Sequence, residues 1–313
     1  MSASHLQASS SLADIPIHIV DAFTKDAFTG NPAAVCLLTL DSDIADETKQ
    51  KIAAEMNLSE TAFVACHDPG ETFARADRFS LRWFTPSVEV DLCGHATLAT
   101  ATVIFRVYGN NHHQIKFETR SGTLLALQKG DSIALDFPQN PPGPLADTLR
   151  VELAALLDVC AFLGPDSVMD VAYSPSTRKL LVRLRDDISM ADLTALPVNP
   201  DQLFAASRTD TVRGVIMTVK GSAATGAVDR DGEPYDFVSR YFAPWVGIAE
   251  DPVTGSSHTV LGPYWAAVLK KSTLYARQCS RRGGDLLLTV LPAGGRMEIA
   301  GHSKIVMSGQ FTL

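Results

Sequence analysis

The sequence predicts a mixed α+β protein of two matching lobes, each dominated by strands, with a single site between them. Three observations carry this: chain length, an internal repeat and a strand-turn rhythm. At 313 residues the chain is long for one core, and length alone points to two units of about 150 residues each. The string Arg82-Trp83-Phe84-Thr85-Pro86 returns as Arg240-Tyr241-Phe242-Ala243-Pro244, and each copy is followed by a glycine, Gly94 and Gly255, that opens a run of small and apolar residues. Short apolar stretches broken by Gly, Asn and Asp fill much of the rest, which is the pattern of antiparallel meanders.

Met1 to Asp14 is rich in Ser and Ala without periodicity and reads as a disordered lead. Ile17 to Phe23 alternates as a strand, Thr29-Gly30-Asn31-Pro32 supplies turn chemistry, and Ala33 to Leu38 forms a second strand. Asp43 to Met56 places Ile44, Ile52 and Met56 on one helical face, with Asn57 as the stop. Glu60 to Cys66 alternates again, so Glu60 shares a face with Ala62 and Val64 at the mouth of a strand. A meander follows over Ile115 to Phe137. The breaker cluster Gln139-Asn140-Pro141-Pro142-Gly143-Pro144 falls near the middle of the chain and sets the lobe boundary there. Beyond it, Leu145 to Asp158 reads as a helix, Lys179 to Leu184 and Val212 to Lys220 as strands, and the last 40 residues as a meander turning at Arg282-Gly283-Gly284 and Ala293-Gly294-Gly295.

Hydrophobic residues make up 46% of the chain and charged ones 20%, an ordinary globular balance. Thirty-five acids against 27 bases give a net charge of -8 with no basic block, so a polyanion such as nucleic acid has nothing to grip. The first 24 residues hold no Lys or Arg, and no apolar run approaches the roughly 20 residues that span a bilayer. A cytoplasmic protein is expected, without membrane contact. Cys36, Cys66, Cys93, Cys160 and Cys279 are odd in number and widely spaced, with neither a Cys-x-x-Cys pair nor a zinc-like cluster, so they are expected to be reduced and to bind no metal.

The repeat locates the site. A glycine at a helix start exposes unpaired N–H groups at the positive end of the helix dipole, where a carboxylate or a developing negative charge is favoured. The predicted helices, His95 to Phe105 and Ser256 to Leu269, would bring two such ends to one cleft. A single glycine of this kind would be read as a packing device; two aligned copies favour a site. In the second copy Asp251 precedes the turn and could orient a histidine or take a proton, or simply cap a turn before Pro252. His95 and Ser256 hold matching places in the two copies. Glu60 is a candidate acid/base if burial raises its pKa, and an edge charge otherwise. His112-His113 and Arg281-Arg282 read as solvated turns.

Four strings, Phe28-Thr29-Gly30-Asn31-Pro32-Ala33-Ala34-Val35, Asn57-Leu58-Ser59-Glu60-Thr61-Ala62-Phe63, Cys93-Gly94-His95-Ala96-Thr97 and Glu250-Asp251-Pro252-Val253-Thr254-Gly255-Ser256, resemble the PhzF, or phenazine biosynthesis-like, family, most closely its animal branch. The likeness runs from about Ile15 to the C-terminus. It implies a diaminopimelate-epimerase-like fold of two pseudo-symmetric lobes, each a set of mainly antiparallel strands around a central helix. The last strand would return to the first lobe, giving residues 15–138 plus about 301–313 as the first lobe and 139–300 as the second. It further implies a homodimer, no cofactor or metal, and an isomerase acting on a small carboxylated, cyclic or unsaturated metabolite such as a dihydro-hydroxyanthranilate. By position, Glu60 would carry the proton and His95 and Asp251 would tune it. Ser59, Gly94, Gly255 and Ser256 would bind substrate.

Related epimerases place a cysteine before the glycine in both lobes. Here the pair is Cys93 and Thr254, and a threonine hydroxyl is too weak an acid and base to replace a thiol. Two other readings follow: a scaffold that binds a WD-repeat partner, as the animal branch implies, or an epimerase that depends on Cys93 with some other acid.

Overall fold

The computed structural model describes residues 14–39, 44–291 and 293–313; the predicted lead up to residue 13 lies outside them. The first lobe opens with β1 (Asp14–Ala22), β2 (Asn31–Leu38), α1 (Asp46–Met56), β3 (Glu60–Cys66), β4 (Arg78–Phe84) and the short β5 (Glu89–Val90), then α2 (Gly94–Thr102), β6 (Gln114–Thr119), β7 (Gly122–Lys129) and β8 (Ser132–Pro138). The second runs through β9 (Gly143–Pro144), α3 (Asp147–Glu152), α4 (Ala154–Cys160), β10 (Val168–Ser174), β11 (Lys179–Leu184), α5 (Met190–Ala195), α6 (Pro200–Ala206), β12 (Gly214–Lys220), β13 (Phe237–Phe242), α7 (Gly255–Leu269), β14 (Thr273–Gln278), β15 (Gly284–Val290) and β16 (Arg296–Gly301). β17 (Ser303–Thr312) ends the chain.

The two lobes repeat one pairing pattern. In the first, β1–β2 is antiparallel, β2–β3 parallel, β3–β4 antiparallel, β4–β6 parallel, and β6–β7 and β7–β8 antiparallel. In the second, β10–β11, β11–β12, β12–β13, β13–β14, β14–β15 and β15–β16 follow the same sequence of orientations. The lobes join where β8 and β16, matching strands, pair antiparallel. The chain crosses between the lobes at two strands: β9, which follows β8 of the first lobe, pairs with β10, and β17, which follows β16 of the second, pairs with β1.

The sheet of each lobe wraps a central helix, α2 or α7. Both helices bury almost every side, which is why their sequences are small and apolar rather than amphipathic. The largest core cluster contains Ala96, Leu98 and Ala99 of α2 together with Val260, Leu261 and Trp265 of α7, so one apolar interior runs through both lobes. The outer sheet faces carry separate clusters, with Ile52 and Ala53 of α1 on Phe63 and Phe84 in one lobe and Leu156, Leu193 and Leu203 of α4 to α6 in the other.

Three predicted helices are altered in detail. The run Leu145 to Asp158 breaks at Leu153 into α3 and α4. The helix expected over His95 to Phe105 begins at Gly94 and continues past Thr102 as a wider π turn over Val103–Val107. The helix expected from Asp43 starts at Asp46 and ends as read, with Asn57 in the left-handed region at φ 49°. Pro263 sits inside α7 and cannot donate to the carbonyl of Thr259. That carbonyl instead accepts from the backbone N–H of Asn140 at 2.9 Å, and Asn140 Nδ2 donates to Thr259 Oγ1 at 2.9 Å. The breaker cluster is thus docked on the second central helix.

Candidate active site

The N-termini of α2 and α7 face each other. A Cβ placed on Gly94 would lie 3.6 Å from the Cα of Gly255, an ordinary van der Waals contact, so the two helix starts stand directly against each other. Cys93 and Thr254 are the matching residues before these helices, both extended and both buried. A cavity of about 250 Å³ opens between them, lined by Glu60, His95, Tyr241, Asp251, Gly94, Gly255 and Ser256 among others.

Glu60 is the first residue of β3 and projects into this space. Its Oε2 is buried without a hydrogen-bond partner among the described residues. His95 Nε2 lies 3.2 Å from that oxygen, but the two are not aligned as a hydrogen bond. Burial raises the Glu60 carboxyl above the usual carboxylate range, with contacts to Ser59 and Cys93 acting in the opposite direction.

His95 is held by its neighbours as a neutral ring. Its Nδ1 stands 3.3 Å from Asn31 Nδ2, a donor, and 3.5 Å from Cys93 Sγ, while Nε2 stands 3.2 Å from Ser59 Oγ. Asn31 Nδ2 also donates to Asp251 Oδ1 at 3.0 Å and to the carbonyl of Val253 at 2.9 Å, so a flipped amide would set its oxygen against two acceptors. Both Nδ2 hydrogens are engaged by these two shorter bonds; the donor nitrogen that still faces Nδ1 favours an unprotonated Nδ1, with the proton on Nε2 facing Glu60 and Ser59. Burial lowers the pKa of His95 to about 4, against the pull of Asp251.

Asp251 is the partner at the far end of this chain. Burial raises it to about 6, while His95 and hydrogen bonds from Thr254 and Asn31 favour its charged form. Gln278, fully buried on β14, holds the loop in place: its Nε2 donates to the carbonyl of Asp251 at 2.6 Å and its Oε1 accepts from the backbone N–H of Thr254 at 2.9 Å. The thiol of Cys93 is pushed well up by burial and by the carboxylates of Glu60 and Asp251. Glu60, Cys93 and His95 bring their donor atoms within 4.8 Å of one another, the kind of set that can hold a cation. Here burial holds the Cys93 thiol protonated beside the Glu60 carboxyl.

A larger cavity, about 560 Å³, lies elsewhere between the lobes. Among its charged lining residues Arg277 pairs with Asp285 and Arg230 with Asp26.

The family model described as phenazine biosynthesis-like protein (PhzC-PhzF) matches residues 20–309. The chain belongs to the phenazine biosynthesis-like family. It is 50% identical over 298 residues to phenazine biosynthesis-like domain-containing protein 1 of Mus musculus, covering 95% of this chain and 99% of that one. It is 42% identical to an uncharacterised isomerase of Pseudomonas aeruginosa, covering 96% and 99%. A solved PhzC/PhzF protein of Clostridium difficile is 36% identical and superposes with a TM-score of 0.77 over 96% of this chain and 100% of that one. The fold is the diaminopimelate-epimerase-like one.

Within this member of the phenazine biosynthesis-like family, the predicted residues Glu60, Gly94, His95, Asp251, Gly255 and Ser256 all line one cavity. Ser59 does not; it stands behind His95 and donates to Asn31 Oδ1 or the carbonyl of Pro32. Two residues central to the network, Asn31 and Gln278, escaped the sequence reading. Asn31 stands in a turn and in a family string but is given no role there, although it opens β2 and is wholly buried. The Arg281-Arg282 turn is only partly the solvated one expected: Arg281 is exposed, but Arg282 is about one-third exposed and donates to Asp21 Oδ1 at 2.7 Å and to the carbonyls of Gly30 and Thr29 at 2.9 and 3.0 Å.

Proposed function

We propose that this protein is an isomerase of a small carboxylated metabolite in which Glu60 moves a proton between two carbons. The observation that carries the reading is the buried, unpartnered Glu60 Oε2 in the wall of a cavity that ends on two helix N-termini. The naming of a 42% identical relative as an isomerase supports the reaction class.

In this reading the substrate carboxylate lies against the backbone N–H groups that open α2 and α7, with Ser256 beside it. The Glu60 carboxylate takes a proton from an activated carbon, and the electron pair left behind shifts the adjacent double bond. The Glu60 carboxylic acid then returns the proton to the carbon at the other end. A carboxyl raised toward neutrality suits both steps. His95 donates from Nε2 toward Glu60 when the latter is charged, and Asp251 acts through Asn31 to hold the ring in that tautomer. Cys93 donates to the same carboxylate. The seam is that between a first lobe of residues 15–138 plus about 301–313 and a second of 139–300, a division supported by the repeated strand pairing.

The test is deuterium incorporation from D2O into cyclic unsaturated carboxylates, beginning with dihydro-hydroxyanthranilate, followed by NMR. Glu60→Gln is expected to slow exchange by about 10²–10⁴-fold, the usual worth of a positioned acid/base, while ligand affinity changes little. Exchange that survives in Glu60→Gln sinks the mechanism, and if it is instead lost in Cys93→Ser the proton carrier is the thiol.

A further inference from the structure

The pseudo-twofold relation between the lobes shows what faces Glu60 from the second lobe. Phe84 and Phe242 match in the repeat; Phe84 pairs with Thr61, the residue after Glu60, and Phe242 with Val215, the residue after Gly214. Gly214 is therefore the counterpart of Glu60. By the same register Ala33, opposite Glu60, corresponds to Lys179, opposite Gly214. The second lobe has no acid where the first has its proton carrier.

Tyr241, the counterpart of Trp83, fills that space. A Cβ at Gly214 would come within 2.6 Å of Tyr241 Cζ and closer still to its hydroxyl, so the glycine is what admits the phenol. Tyr241 lines the cavity, is 7% exposed, and its hydroxyl has no hydrogen-bond partner among the described residues. Lys179 stands beside the ring with Nζ 5.7 Å from its centroid. It too is 7% exposed, and it makes no hydrogen bond or ion pair among the described residues. Burial lowers it to about 8, and the carboxylate that opposes this is Asp251, which is already engaged by Asn31 and Thr254. Neither polar atom is among the fully sealed ones, so both stand open to an acceptor that a ligand brings into this nearly buried corner.

We propose that Tyr241, with Lys179 beside it, is a second anion-recognising wall of the cavity, so that the substrate carries a second anionic oxygen in addition to the carboxylate held at the paired turns. Tyr241 Oη donates the hydrogen bond and Lys179 supplies the positive field. The proposal rests on the carboxylate reading of the turns given above.

The experiment is calorimetric titration of the full chain with benzoate and with the three benzenedicarboxylates. In the unmodified protein at least one dicarboxylate is expected to bind about 10-fold or more tightly than benzoate, as a charge-assisted hydrogen bond would give. Tyr241→Phe, which keeps the ring and its volume, brings that ratio to within about twofold of unity, and Lys179→Met lowers it by about threefold or more. If no dicarboxylate outbinds benzoate, or if the preference survives in Tyr241→Phe, the second wall does not exist and the turns keep their role. If neither benzoate nor any dicarboxylate binds, the carboxylate reading of the turns falls with it.

Discussion

Burial drives His95 and Asp251 in opposite directions, and the difference can be measured. A carboxylate raised to about 6 in the folded protein, from an ordinary 3.8, contributes stability that is fully present below the lower value and is lost as pH rises through the upper. At about 1.4 kcal/mol per pH unit the loss approaches roughly 3 kcal/mol. Asp251→Asn lacks this titration, whereas His95 titrates in both proteins. The stability of the native chain relative to the variant should therefore fall by on the order of 2–3 kcal/mol between pH 4 and pH 7 in urea unfolding. A difference that is flat with pH would show that Asp251 is solvated. The titratable members of this site were legible in the sequence because Glu60, His95 and Asp251 sit in distinctive strings. Asn31 and Gln278 were not, because an uncharged amide acquires its importance only from three or four partners that the fold brings to it. Asn31 takes its contacts from residues 64, 220 and 222 positions away.

Among the elements, the repeat carries more than the two glycines. Arg82 on β4 forms a two-point pair with Glu89 at 2.7 and 2.8 Å, and Arg240 on β13 does the same with Glu250 at 2.7 and 2.9 Å. Each glutamate stands five residues before its glycine, so Glu89 and Glu250 are the repeated acids and Asp251 matches Val90. Each arginine also lies over the phenylalanine two residues on, at 5.2 and 4.9 Å. The pair ties the strand to the loop that delivers the helix start. The copies differ in exposure: the Arg240 side chain is 9% exposed and donates also to the carbonyls of Leu193 and Leu196, whereas Arg82 is 27% exposed and shares Asp46. Removing one partner of a buried pair costs about 3–5 kcal/mol and of a partly exposed one about 1. Arg240→Ala should thus lower unfolding free energy by about 3 kcal/mol or more, and Arg82→Ala by about 1–2. Equal losses in the two variants would contradict the burial argument. The short helices α3 to α6 were the least legible elements, being six or seven residues each and held by the outer cluster of the second lobe rather than by their own periodicity.

The two-lobed plan was legible because the repeat is a local string; the return of β17 to the first lobe came from the family resemblance alone, and the pairing of β9 with β10 was not legible at all. Neither strand announces its partner: Asp14 pairs with Thr312 at the opposite end of the chain, and Ala172 with Pro144 across two helices. These two pairings and the β8–β16 pairing join the lobes through sheet. A second attachment is made by side chain and turn. Gly30 N–H donates to the carbonyl of Gly283 at 2.6 Å, Asp285 N–H donates to the carbonyl of Phe23 at 2.9 Å, and Arg282 reaches from the β14–β15 turn to Asp21, Thr29 and Gly30. Asp21 is 3% exposed at its side chain, and burial raises its carboxyl while Phe28 N–H and Arg282 favour the charge. Another ion pair, Arg230 with Asp26, also spans the lobes, but its side chains are 58% and 60% exposed. Magnitude separates the two. Arg282→Ala strands a buried carboxylate and two carbonyls and should cost about 2–3 kcal/mol, reduced from the fully buried case because Arg282 is itself about one-third exposed. Arg230→Ala should cost at most about 1 kcal/mol. Because both helix starts must address one carboxylate, loosening this attachment should also weaken benzoate binding and speed hydrogen exchange at the Gly30 and Asp285 amides. Exchange at those amides that stays slow in Arg282→Ala would mean that the strands alone hold the lobes in register, and the clamp would then have no part in shaping the site.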